Sequence, residues 1–449
     1  MLTKKRRSSM SIEMLLALGF FLIILLGSLL LSLPVAWEEG KSANYLQALF
    51  TATSATCVTG LTVVDTAETY SLFGEIVIIA LIQVGGLGFM LFATMTLVFI
   101  RKRISLQSRA LLRDSMGLPG LSGSVRTSLH FVLIVFGIEL LGALLLSIRF
   151  VPQMGMGKGL YYGFFHAVSA FCNAGFDLFG SLGSLQIYQQ DPYVLLIISS
   201  LIVLGGLGFA VLAEVISHHH IKKYSLHTKT VLFTTAALLV FGTLVISALE
   251  WNNPRTLGTM PAVHRVTNAW FQSVTTRTAG YFSISQMGMT DASKLVSSIL
   301  MFIGASPVST GGGIKTTTLF LLLALVSTVV HGRVDVTAFK RKVPLSVVRT
   351  ALSIFVIFLI LAVTGTALLS VWNAEFQIID LTMEATSALG TVGLTSVGTA
   401  NLTALSQVLL ICFMYIGRVG PLTLMLVLTR RQENKTTLMH YPEEQMLVG

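Results

Sequence analysis

Long apolar runs dominate this sequence and decide which solvent it folds in. They fall near 14–33, 74–100, 128–151, 192–217, 229–249, 294–331, 346–372 and 403–429, and about 20 such residues suffice to cross a bilayer. Between them lie shorter Ser/Thr/Gly-rich segments near 43–56, 159–171, 262–276 and 378–389, too short to cross and better read as re-entrant or buried. Only 11% of the 449 residues are charged, whereas a soluble domain carries about a quarter. The chain reads as an all-α polytopic membrane protein with eight transmembrane helices.

The net charge of +10 would suggest a nucleic-acid partner were it not for where the charges lie. Most Lys and Arg fall in five stretches that share one side: Lys4 to Arg7, Arg101 to Arg126, Lys222 to Lys229, Arg333 to Arg349, and Arg430 to Lys435. This is the positive-inside pattern, with both termini cytoplasmic, and no nucleic acid is expected. The first run is too long for a signal peptide and lacks a clear cleavage site, so it reads as a retained helix. The three cysteines, Cys57, Cys172 and Cys412, are too dispersed for a disulfide framework or metal site and read as buried free thiols.

Each short segment ends in a related motif: ATCVTGL (55–61), AFCNAGF (170–176), TTRTAGY (275–281) and ALGTVGL (388–394). The shared glycines, Gly60, Gly175, Gly280 and Gly393, lie 115, 105 and 113 residues apart. A second glycine cluster recurs in the following run: VGGLGF (84–89), LGGLGF (204–209), IGASP (303–307) and IGRVGP (416–421). The chain therefore divides into four span–pore helix–span repeats: 1–100 with a cytoplasmic tail, 101–217, 218–331 and 332–449 with a short tail. Non-helical backbone at bilayer depth is tolerated where it is buried in protein or lines a water-filled cavity. Four such loops can converge on one central pore, and a ring of carbonyls there replaces a cation's hydration shell. The candidate filter residues are Val58, Thr59, Gly60, Asn173, Ala174, Gly175, Thr278, Ala279, Gly280, Thr391, Val392 and Gly393, with K⁺ at their carbonyls. Close helix packing is the alternative for these glycines and a stronger one for VGGLGF and LGGLGF.

The third repeat is interrupted by GASPVSTGGGIKT (304–316). A phosphate-binding loop needs Gly directly before Lys, in G-x-x-x-x-G-K-[ST], and here Ile314 intervenes. Arg418, near the middle of the last span, costs roughly 2.5–3.5 kcal/mol on insertion scales, so it should face an interior or cavity.

The four filter loops, GASPVSTGGGIKT and YIGRVGPLT together resemble the Trk/Ktr/HKT superfamily of potassium transporters. The likeness covers nearly the whole chain and is closest to the bacterial KtrB-type membrane subunit. It implies that the four glycines select K⁺, and glycine rather than serine at Gly60 favours potassium over sodium. It also implies that 304–317 is an intramembrane gate, with Gly304, Ser309, Thr310, Gly311, Gly312, Gly313, Lys315 and Arg418 as gate residues. Ser309, Thr310 and Thr316 to Thr318 would keep the loop hydrated. Lys315 has two open readings, pairing with a carboxylate or snorkelling to the cytoplasm. For Arg418 the readings are a barrier on the pore axis and a structural pair to buried carbonyls.

Further implications of the resemblance are a homodimer in the bacterial cytoplasmic membrane, a cytosolic ATP/ADP-binding regulatory ring, and Na⁺ as a stimulating ion. The basic stretches 101–126 and 333–349 offer docking surfaces for that ring. No organic cofactor is expected in this chain. Among other residues, Glu139 reads as a packed acid or a proton or sodium site, and His166 as a packing residue. Arg277 reads as a brace paired with an unnamed acid, and His218 to His220 as an interface run or metal site. No nucleophile–base or zinc-binding motif suggests an enzyme. Potassium uptake through a gated four-loop filter is the leading reading. The alternative is an alternating-access Na/K or H/K symporter, whose broken helices come in paired halves, whereas only one span here reads as broken.

Overall fold

A computed structural model describes residues 12–41, 44–88, 124–180, 183–218 and 220–420. Its helices are α1 Ile12–Leu31, α2 Tyr45–Thr56, α3 Leu72–Leu87, α4 Ser124–Met154, α5 Met156–Phe171, α6 Pro192–Leu207 and α7 Phe209–Ser217. They continue with α8 Leu226–Glu250, α9 Ala262–Thr275, α10 Asp291–Phe302, α11 Thr316–Val330, α12 Leu345–Trp372, α13 Ile378–Gly390 and α14 Ala404–Val419. One small hairpin joins Thr337–Ala338 to Arg341–Lys342. Among the described residues, α1 (from Met14), α4, α8 and α12 are long and apolar enough to cross a membrane whole, and the bent α6–α7 pair makes a fifth.

The packing is inverted relative to a water-soluble protein. Leu133, Leu140 and Ile148 of α4, Phe233 and Leu244 of α8, and Val363 of α12 are exposed. By contrast Thr51, Thr53 and Ser54 of α2 and Ser169 of α5 are buried. Hydrocarbon solvates the outside, so the polar side chains collect inside, where they hydrogen-bond one another and the backbone. The short helices α2, α5 and α13 each pack in the fork of a long helix and its successor, and α9 packs on α8 and α6, most extensively α5 against α4 and α9 against α8.

The second helix of each fork is shorter than the apolar run that encodes it. α3, α6 and α14 end at Gly88, Gly208 and Gly420, with φ of 82°, 93° and 91°, a conformation glycine adopts at low steric cost. At Gly208 the chain turns by 101° into α7. The expectation that only the 304–317 stretch is broken is therefore corrected. The cause is a recurring glycine that stops the helix, which apolar run length does not register. The neighbouring glycines do a different job. A methyl group built on Gly85, Gly205 or Gly417 would run into the carbonyl oxygen of Thr56, Phe171 or Leu389, so packing holds for these.

One further expectation is corrected here. Cys57 and Cys172 are buried, whereas Cys412 is exposed, on the outward face of α14. The basic residues Lys4 to Arg7, Arg101 to Arg113 and Arg430 to Lys435 lie outside the described residues, as does His219. Among the described residues no group of His, Cys, Asp and Glu could hold a metal ion.

Overpacking of this kind costs about 1–3 kcal/mol. Gly205→Ala should therefore lower the thermal unfolding midpoint in detergent by several degrees. An unchanged midpoint would mean that α6 does not rest on the end of α5.

Candidate ion pathway

The four glycine motifs adopt one backbone. Val58, Asn173, Thr278 and Thr391 all have positive φ, between 52° and 70°, and Gly60, Gly175, Gly280 and Gly393 have φ of 92°, 69°, 84° and 98°. Left-handed residues at the first and third positions are uncommon outside glycine. Each loop is held in that shape by the helix before it. Thr59 N–H donates to Ser54 O, Ala174 N–H to Ser169 O, and Val392 N–H to Ser387 O, all at 2.8 Å, while Ala279 N–H donates to Thr275 O at 3.0 Å.

The serine hydroxyls add a second tie. Gly60 N–H donates to Ser54 Oγ and Gly393 N–H to Ser387 Oγ, each at 3.0 Å, and Ser169 Oγ donates to Phe176 O at 2.8 Å. In the third loop Thr275 Oγ1 donates to Tyr281 O. These residues were missed by sequence reasoning, although a Ser-Ala pair stands before three of the four loops (54–55, 169–170, 387–388) and marks them.

The loops meet in a ring. A methyl group on Gly60 would lie 2.6 Å from Ala174 O, one on Gly175 2.6 Å from Ala279 O, and one on Gly280 2.6 Å from Val392 O. On Gly393 it would strike Thr59 O, which closes the circle. Each glycine thus sits against the middle carbonyl of the next loop, and all twelve candidate filter residues come together. On one side of the ring a cavity of about 220 Å³ is lined by the four glycines together with Asp65, Asp177 and Thr395. Burial, and then the charge of nearby Asp65, push the Asp177 carboxyl up to about 6, against the Phe179 N–H and Ser184 hydroxyl that hold it down.

The 304–315 stretch lies against the other side. Gly312 N–H donates to Thr391 Oγ1 at 3.0 Å, and a methyl on Gly311 would strike the Thr278 hydroxyl. Thr310 N–H and Ser306 N–H donate to Gly205 O and Gly206 O, at 3.3 and 3.0 Å, and Phe209 N–H donates to Val308 O at 3.1 Å. The loop is thereby bonded to the break between α6 and α7. Ser309 and Thr317 are half-buried, but the other hydroxyls expected to be hydrated are not open to solvent. Thr310 and Thr316 are fully buried. Thr310 Oγ1 donates to Phe171 O at 3.2 Å, Ser309 Oγ to Ser306 O at 2.6 Å, and Thr316 Oγ1 to Ser306 Oγ at 3.0 Å. They answer the carbonyls that a broken helix leaves behind. Lys315 takes neither expected course. Its Nζ donates to Gly311 O at 2.7 Å and Gly312 O at 3.3 Å, because its own loop supplies the acceptors. Gly304 and Gly313 lie back to back.

Arg418 reaches the loop from α14. Its guanidinium donates to Thr310 O, to Gly85 O, and to Gly86 O at 3.2 Å, and it lies 5.9 Å from the Phe20 ring. One side chain joins the 304–315 loop to the end of α3. Glu139 is buried and accepts from Gln83 Nε2 at 3.1 and 3.2 Å. His166 packs on Phe179 and accepts from Leu178 N–H at 3.3 Å. Arg277 is buried but has no acidic partner among the described residues, and its Nη1 lacks a hydrogen bond. The expected acid brace is absent there.

Residues 20–437 match the family described as TrkH, cation transport protein. The chain is 40% identical over 449 residues to the potassium/sodium uptake protein NtpJ of Enterococcus hirae, covering 99% of each. It is 39% identical to the Ktr system potassium uptake protein B of Bacillus subtilis, over 97% of this chain and 96% of that one. The potassium transporter TrkH from Vibrio parahaemolyticus shares the fold, with a TM-score of 0.72 at 18% identity, over 95% of this chain and 86% of that one. These relatives are transporters rather than enzymes, and the resemblance read from the sequence holds. The chain belongs to the TrkH family of cation transport proteins.

Proposed function

We propose that this chain takes up potassium across the bacterial cytoplasmic membrane through the ring of Gly60, Gly175, Gly280 and Gly393. In this reading the chain crosses the membrane eight times in four repeats, with both termini inside. The observation that carries it is the ring itself, in which each loop abuts a carbonyl of the next. Such carbonyls replace water around a dehydrated K⁺, and the C-terminal ends of α2, α5, α9 and α13 add negative potential. The membrane potential supplies the work, about 2.3 kcal/mol per charge for each 100 mV.

The 304–315 loop, tied to Thr391 above it and Arg418 beside it, acts as the gate, and the Arg418 charge raises the barrier to a passing cation. Helix ends at Gly88 and Gly420, with the breaks at Gly208 and in this loop, favour a fourfold pore over alternating access, which uses breaks in paired halves. Three relatives are named as Ktr system proteins, which supports work within a complex. The partners proposed are a second copy of this chain and a nucleotide-binding cytosolic ring. The exposed hairpin side chains Lys340 and Arg341 offer that ring a basic surface. The printed name of the Enterococcus relative keeps Na⁺ as a second ion.

Gly60→Ser and Gly393→Ser should each reduce preference for Rb⁺ over Na⁺ in liposome uptake while expression holds. Unchanged preference in both would remove the filter assignment. Arg418→Ala, or a shortened 304–317 loop, should raise Rb⁺ flux, and a fall in flux through well-folded protein would count against the gate. Asp177 is ionised above about pH 6 and neutral below it. Uptake at low external K⁺ should therefore drop as external pH falls through 6, by a few-fold at low ionic strength, where charged clefts concentrate ions. Asp177→Asn should flatten that step, and an unaltered pH profile would exclude this vestibule carboxylate as the cause.

A further inference from the structure

The helix before each loop also holds the stretch of chain that leaves the glycine, and it does so from nearly the same position each time. Nine residues ahead of the glycines stand Thr51, His166, Phe271 and Glu384. Thr51 Oγ1 accepts from Tyr70 Oη at 3.1 Å, and His166 Nε2 accepts from Leu178 N–H at 3.3 Å. Phe271 cannot bond, and the next residue, Gln272, instead exchanges two amide hydrogen bonds with Gln286 at 2.8 and 3.0 Å.

The fourth repeat uses a carboxyl group for the same task. Glu384 Oε1 accepts from Thr399 Oγ1 at 2.5 Å. One turn earlier, Asp380 accepts from Ser396 Oγ at 2.6 Å and from Lys294 Nζ at 2.7 Å. Glu384 is fully buried, and its Oε2 has no hydrogen-bond partner.

A carboxylate without full pairing is an expensive group to keep in a dry interior, and Thr and His do the corresponding work in the first two repeats. In its ionised form it provides a tether roughly twice as strong as a neutral one. The gate loop also bonds to the fourth loop, through Gly312 N–H on Thr391.

We propose that Glu384 is a positioning residue for ion selectivity. By holding Thr399 it fixes how far the Val392 and Gly393 carbonyls close on the axis, and so how poorly they fit the smaller Na⁺. The inference rests on the filter reading, and its test separates the two.

Purified protein in liposomes is assayed for ⁸⁶Rb⁺ uptake against competing Na⁺. Glu384→Ala and Thr399→Val are each expected to lower the Rb⁺/Na⁺ preference on the order of tenfold, the size of one charged hydrogen bond. Because they break the same bond, the double variant should lose no more than either single one. Thr399→Ser, which keeps the hydroxyl, should restore the preference, and Thr399→Val carries the test if Glu384→Ala folds poorly. Losses that multiply in the double variant would overturn the tether. So would an unchanged preference in Thr399→Val while Gly393→Ser shifts it. If Gly393→Ser is also without effect, the filter reading falls and this inference with it.

Discussion

Ending a helix partway across a bilayer leaves carbonyl groups with no water to receive them, and the rest of this structure is arranged around meeting that debt. Four short helices end at the ring, and their last carbonyls accept from the loop N–H groups of Thr59, Ala174, Ala279 and Val392. The helices that follow stop at Gly88, Gly208 and Gly420, and the third is opened altogether between α10 and α11. There the loop's own hydroxyls, the Lys315 ammonium and the Arg418 guanidinium take the acceptors. Arg418 is better described by this service than by its charge alone. It donates to three carbonyls from two separate elements, so its removal would take a donor from each and leave Gly85 O with only the Gly88 N–H at 3.3 Å.

Much of the fold was legible because hydrocarbon solvent leaves a coarse signature. The runs at 128–151, 229–249 and 346–372 correspond closely to α4, α8 and α12, and the four short segments to α2, α5, α9 and α13. The loops were legible for a stricter reason. Only a residue that tolerates positive φ fits the third position of each motif, so glycine recurs there in otherwise dissimilar sequence. The breaks at Gly88 and Gly208 were harder to see, because in VGGLGF and LGGLGF one glycine permits packing and another ends the helix. Composition cannot apportion those two jobs.

The hydroxyls and charges of the site were the least legible part. Ser309, Thr310 and Thr316 are residues that water would suit equally well, and only the folded chain places carbonyls within their reach. Lys315 found its acceptors four and three residues back along its own loop, which no search for a distant carboxylate would reveal. Arg277 is the opposite case, a buried guanidinium with an unfilled donor beside a cavity of about 10 Å³, room for about one water molecule.

The ring closes between Gly393 and Thr59, and that closure has a consequence for how the molecule is made. Its two edges are separated by roughly 330 residues of chain, which at ribosomal speeds of about 5–20 residues per second takes on the order of 15–70 s to produce. Throughout that interval the early loops sit in the membrane with one wall missing and their carbonyls facing an open side. The Tyr415 hydroxyl, bonded to Ala17 O at 2.7 Å, then fastens the last helix to the first. A product truncated before the fourth loop would lack both Val392 O, against which Gly280 sits, and Gly393, which meets Thr59 O, and so would carry an unsealed edge.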